Sequence, residues 1–98
     1  MKFANQQVDN TILEEDVELL KVMAHPIRLK LISALSKHKT LNVTQITKIL
    51  NIPQSTVSQH LSKMRGKVLK GDRQGLEIYY SIKNPKAEEI MGLLGPIQ

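Results

Sequence analysis

Apolar positions recur at helical spacing through most of the chain and switch to alternation once, in its last third. In TILEEDVELLKVMA, Leu13, Val17 and Leu20 make one stripe, and Ile12, Leu19 and Met23 make a second. A helix that is apolar on two sides must pack against two things. Its own domain is one; a second copy of the chain is the candidate for the other. Thr11 and Glu14 have capping-box spacing, and acids fill the first turn, where they meet the positive end of the helix dipole. HPIRLKLISALSKHK follows. Pro26 ends the first helix and suits the first turn of the next. Ile27, Leu31, Ala34 and Leu35 share a face that Leu29 and Ile32 widen. In LNVTQITKIL, Asn42 is a cap with Gln45 at the reciprocal position, and Val43, Ile46, Ile49 and Leu50 mark the buried side.

Asn51 tolerates a left-handed backbone, so a tight turn is expected before Pro53 opens PQSTVSQHLSKMR. Val57, Leu61 and Met64 fall at i, i+4 and i+7 and point into the core. Ser55, Ser58, Gln59 and Ser62 lie on the other side, flanked by Thr56 and Lys63. After Gly66 the period changes. Leu76, Ile78, Tyr80 and Ile82 face one way and Glu77, Tyr79 and Ser81 the other, with DRQG read as a hairpin turn. Asn84 and Pro85 cap a last helix, striped by Ala87, Ile90, Met91 and Leu94 and stopped by Gly95 and Pro96. The predicted order is α-α-α-α-β-β-α, mainly α with a small β-hairpin. Two short helices across a tight turn, followed by a two-stranded ribbon, predict a winged helix-turn-helix. Residues 1–98 read as one such domain, since 98 residues suffice for one and little more.

Charge says what the fold is for. Residues 1–20 carry five acids and one base, whereas residues 21–71 carry ten bases and no acid. A block of one sign suits a polyanion. There is no Trp and only one Phe, so the core is aliphatic, and so short a chain buries a limited share of its surface, which favours a partner chain. The absence of cysteine excludes disulfides and thiolate metal sites and suits the cytoplasm. No apolar run is long enough to span a membrane, and MKFANQQVDN lacks the apolar segment of a signal peptide.

A major groove admits one helix and presents donors and acceptors on its base edges. Short Ser and Thr side chains allow close approach, Gln59 suits an adenine edge or a phosphate, and Arg65 and the lysines suit phosphates. The candidate contacts to double-stranded DNA are Gln54, Ser55, Thr56, Ser58, Gln59, Ser62, Lys63 and Arg65 on the helix, Lys67 just after it, and Lys70, Arg73 and Gln74 on the wing. Such a helix face alone also describes a soluble surface, and Asp72 paired with Arg73 describes an ordinary loop. The turn, the wing and the missing acids together favour DNA. The alternative is an antirepressor-like protein-interaction module that binds no DNA, a type that usually loses the basic charge on this helix. His25 precedes Pro26 as a cap or packing residue, His38 sits near a helix end, and His60 packs or reaches a phosphate. The three have no metal-ligand spacing. No nucleophile–base pair, Gly-rich phosphate loop or Walker pattern is present, so neither an enzyme nor a cofactor is expected.

LLKVMAHPIRLKLISAL, PQSTVSQHLSKMR and GLEIYYSI resemble the ArsR/SmtB family of bacterial winged-helix repressors, over about Leu19 to Ile82. The resemblance implies a homodimer through the first and last helices, here Ile12, Leu13, Val17, Leu20, Ile90, Met91 and Leu94. It would present two recognition helices to adjacent major grooves, ~34 Å apart on an inverted repeat. The metal sensors of that family use a Cys-x-Cys pair on the third helix, where Asn42 and Thr44 stand here. A second family site, across the last helices, uses Asp and His. No histidine follows His60, and the adjacent Glu88 and Glu89 point in different directions. No metal site and no small-molecule effector is therefore expected. Lys67 stands where the family usually carries Gly, which predicts a distorted end to the recognition helix.

Overall fold

The computed structural model describes residues 11–95. Five helices and a hairpin follow in the order α1 (Glu14–Met23), α2 (Pro26–His38), α3 (Val43–Leu50), α4 (Gln54–Met64), β1 (Leu69–Gln74), β2 (Glu77–Ile82) and α5 (Pro85–Leu94). One hydrophobic cluster draws on all of them: Leu19 and Met23 from α1, Leu31, Ile32 and Leu35 from α2, Ile46 from α3, Val57, Leu61 and Met64 from α4, Leu69 and Tyr80 from the strands, and Ala87 and Met91 from α5. Among the described residues no helix is long and apolar enough to cross a membrane.

The first helix starts later than its pattern predicts. Leu13, not Thr11, takes the capping position, and no side-chain cap bond forms there. Ile12 therefore precedes the helix and is exposed, leaving Leu19 and Met23 as the buried side. A cap is worth about 1 kcal/mol, less than the burial of two large side chains, so packing places this helix. Glu14, Glu15 and Asp16 still fill its first turn.

His25 caps α2, its Nδ1 accepting the Ile27 N–H at 3.1 Å. The helix ends at Lys39, whose φ of 76° and ψ of −54° make a γ-turn, with the Thr40 N–H donating to the His38 carbonyl at 2.9 Å. Leu41 then pairs with Tyr80 in both directions, at 3.1 and 2.8 Å, tying the start of the helix-turn-helix to the hairpin. At α3 the predicted capping box is complete, with Asn42 and Gln45 exchanging bonds of 2.8 Å. Ile49 departs from expectation. It is 45% exposed, whereas Ile46 takes the centre of the buried face of this short helix.

The hairpin also differs from its sequence reading. Gln74 pairs with Glu77, so the turn is the two-residue Gly75–Leu76 and not DRQG. A two-residue hairpin loop needs positive φ, which Gly75 supplies at 66° without steric cost. Asp72, Arg73 and Gln74 belong to β1, and Leu76 sits at the tip, 96% exposed rather than on the core face. The alternation of Ile78, Tyr80 and Ile82 toward the core holds. At α5, Asn84 accepts the Lys86 N–H at 2.9 Å and Pro85 occupies the first turn. Gly95 ends the helix as expected; Pro96 lies outside the described residues.

Candidate nucleic-acid interface

α4 is positioned by its apolar stripe: Val57, Leu61 and Met64 are wholly buried. Helical geometry then fixes what faces away. Gln54, Ser55, Gln59, Ser62 and Lys63 are exposed, with Thr56 and Ser58 half-buried at the edges. The tight turn that sets the angle between α3 and α4 is made by Asn51 in the left-handed region, φ 56° and ψ 47°. Pro53 occupies the cap position of α4 with no side-chain cap bond. The positive end of the helix, with the first-turn N–H groups of Gln54, Ser55 and Thr56, is left to other acceptors.

At the other end the Arg65 N–H closes the helix onto the Leu61 carbonyl at 2.9 Å. Arg65 is already extended, the chain turns at Gly66, φ 105°, and Lys67 needs no positive φ. Lys67 itself is exposed beside the helix end. The Arg65 side chain folds back over the wing. Its guanidinium carbon lies 5.9 Å from the Tyr80 ring centroid, and Nη2 approaches the Gly71 carbonyl at 3.5 Å. Gly71 makes room for this: a Cβ there would sit 2.9 Å from the Ile78 Cγ2 and 3.2 Å from the Arg65 Cζ.

The register divides the wing candidates. Residues directly opposed across a ladder share a face. Gly71↔Tyr80 and Arg73↔Ile78 lie on one face, and Lys70↔Ser81, Asp72↔Tyr79 and Gln74↔Glu77 on the other. Lys70 and Arg73, both read from the sequence as wing contacts to DNA, therefore lie on opposite faces. Arg73 shares its face with the Arg65 guanidinium and with no acid, whereas Lys70 and Gln74 share theirs with Asp72 and Glu77.

His60 does not join the outward face. Its Nδ1 accepts a hydrogen bond from the Arg28 Nε at 3.1 Å, and its ring lies 4.5 Å from that of His25. Burial, with His25, Arg28 and Lys63 nearby, holds its imidazole below the ordinary value. Sequence reasoning passed over Arg28, which lies 32 positions from His60.

On the far side, Leu13, Val17 and Leu20 are exposed along α1, as are Leu93 and Leu94 on α5. Between the two helices runs a groove of about 350 Å³ lined by Leu19, Leu20, Ile90 and Leu93 and rimmed by Asp16, Lys86 and Glu89. Lys86 Nζ bonds Asp16 Oδ1 at 2.8 Å across it, which raises the lysine pKa. Of the residues read as a pairing surface, Met91 is buried in the chain's own core and Ile90 is half-buried. Leu93, missed by the sequence pattern, is 86% exposed.

Asn42, at one inherited metal-ligand position, is buried and committed to its capping box, and Thr44 is exposed. No group of three or more His, Cys, Asp or Glu able to hold a metal ion occurs among the described residues.

Three comparisons bear on this architecture. Residues 25–67 match the profile of bacterial regulatory proteins of the arsR family. The chain is 67% identical to the transcriptional repressor PagR of Bacillus anthracis, over 98% of this chain and 97% of that protein. It is 35% identical to the HTH-type transcriptional regulator YgaV of Escherichia coli K12, over 83% of each. The crystal structure of PagR superposes with a TM-score of 0.81 at 72% identity, covering 84% of this chain and 94% of that one.

Proposed function

The chain belongs to the arsR family of bacterial regulatory proteins, and from that premise we propose that it is a cytoplasmic, homodimeric transcriptional repressor that binds an inverted-repeat operator in duplex DNA. The observation that carries the reading is α4. Its buried stripe turns Ser55, Gln59 and Ser62 outward, and it lies between a left-handed turn and a wing, inside a stretch without a single acid from residue 21 to residue 71. Base edges fall to Ser55, Ser58, Gln59 and Ser62, and phosphates to the first turn of α4, Lys63, Lys67 and the wing. The exposed leucines of α1 and α5, with the groove between them, form the pairing surface, and twofold pairing repeats the recognition helix along the duplex. The basic helix face disfavours a protein-interaction module.

Footprinting on the promoter of the protein's own gene tests the reading. A protected inverted repeat is expected. Ser58→Ala and Gln59→Ala should weaken binding to it more than binding to unrelated duplex. Equal retention of all duplexes by wild type and both variants overturns the assignment.

A further inference from the structure

One polar cluster is left over by the DNA contacts. It lies where the α1–α2 junction meets α4. Arg28 of α2 reaches both ways: Nη1 donates to the Val22 carbonyl of α1 at 3.0 Å, and Nε donates to the His60 Nδ1 of α4 at 3.1 Å. The His60 ring packs at 51° on His25, which is itself fixed by its bond from the Ile27 N–H. All three side chains are half-buried.

We infer that Arg28 and His60 are a positioning pair that couples the pairing helix α1 to the recognition helix α4, and that operator binding requires His60 as an unprotonated acceptor. This rests on the DNA-binding reading above. A guanidinium keeps its protons at any ordinary pH, so its N–H bonds an imidazole nitrogen only where that nitrogen holds a lone pair. A proton on Nδ1 would set two donors against each other. It would also place a cation among cations. The charged groups acting on His60 are His25 at the α2 cap, Arg28 on α2 and Lys63 on α4 itself, and among the described residues no acid offsets them. Burial and these neighbours push the imidazole down, so coupled His60 takes its proton at lower pH than an uncoupled one, whose ordinary value is 6.5. The sign follows by linkage: coupling is complete above about 6.5 and is lost as the pH falls through the lowered value. A histidine that contacted a phosphate would give the opposite sign, since bound DNA would favour its proton and binding would tighten in acid.

The test uses the full chain and a duplex enriched by the wild-type protein from a random library at mildly alkaline pH. Affinity is measured from about pH 8 to about pH 5.5, where histidine is the side chain whose unperturbed charge changes. Wild type should weaken by about ten-fold or more toward acid. His60→Asn places an amide oxygen near the site of Nδ1 and cannot be protonated. Relative to its own affinity in alkali, it should lose markedly less in acid than wild type does. Arg28→Lys, which cannot serve both acceptors with one planar fork, should lose specific affinity at every pH while keeping its helicity and its retention on unrelated duplex. Wild-type binding that is flat or tighter in acid overturns the coupling. So does a parallel fall in His60→Asn, or a loss that tracks loss of helicity by circular dichroism. If the wild type enriches no duplex at all, the DNA-binding reading fails first and the coupling goes with it.

Discussion

The opposed faces of the wing predict that its two cations are not equivalent. Only one face of a two-stranded ribbon lies along a given phosphate strand. Arg73 shares its face with Arg65, whereas Lys70 shares its face with Asp72 and Glu77, whose carboxylates repel a polyanion. The perturbation is therefore a pair of single variants, Arg73→Ala and Lys70→Ala. By counterion release each closed phosphate adds about 0.9 to the slope of log affinity against log salt. A dimer that loses Arg73 loses the contact twice, so the slope should fall by about 1.8. Over a four-fold rise in salt, from about 50 to about 200 mM, that is roughly a ten-fold difference in how much affinity is lost. Lys70→Ala should change the slope by less than about 0.5, the residue of long-range attraction across a screened distance. Fluorescence anisotropy with a labelled operator duplex, titrated at several potassium chloride concentrations, measures both slopes. If Lys70→Ala takes the larger drop and Arg73→Ala leaves the slope intact, the wing presents its other face and the assignment from register is wrong.

Leu20 is 52% exposed on the face proposed for pairing, so Leu20→Asp should leave each chain folded but set two like charges against each other in the proposed dimer. Sedimentation should show the monomer at micromolar concentration, and a variant that still sediments as a dimer would refute the surface. Lys39 holds a γ-turn at φ 76°, a conformation that costs a non-glycine residue about 1–3 kcal/mol. Its ion pair with Glu88, 3.8 Å long and exposed, returns little. Lys39→Gly gives back about 0.5–1 kcal/mol in backbone entropy, so a net gain of about 1 kcal/mol should raise the melting temperature by about 4–8 °C; a lower melting temperature would show the turn is not strained. Zinc should leave operator affinity unchanged, because Asn42 spends its side chain on the α3 cap; release of the duplex by equimolar zinc would contradict that.

What could be read from the residues alone was whatever a single element decides. Val57, Leu61 and Met64 had to share a face because their spacing is a property of the helix, and burial of all three then put Ser55 and Gln59 outside. Asn42 with Gln45, Asn51 and Asn84 were legible for the same reason: a cap or a left-handed turn is built from neighbours in sequence. The errors fall where two segments must agree. Leu76 continues the alternation of β2 perfectly well as a string, and only the pairing of Gln74 with Glu77 shows that it occupies a tip with no face to bury. That Lys70 and Arg73 lie on opposite faces of the wing is likewise visible only in the ladder. Arg28, 32 positions from His60 in sequence, meets it only because α2 and α4 pack together. For a protein that binds a polyanion this matters in one direction. A count of bases along the chain sets an upper limit on the phosphates it can close. Each cation that the fold commits to another side chain, as it does Arg28, lowers that limit. The salt dependence of binding should therefore be weaker than the composition implies.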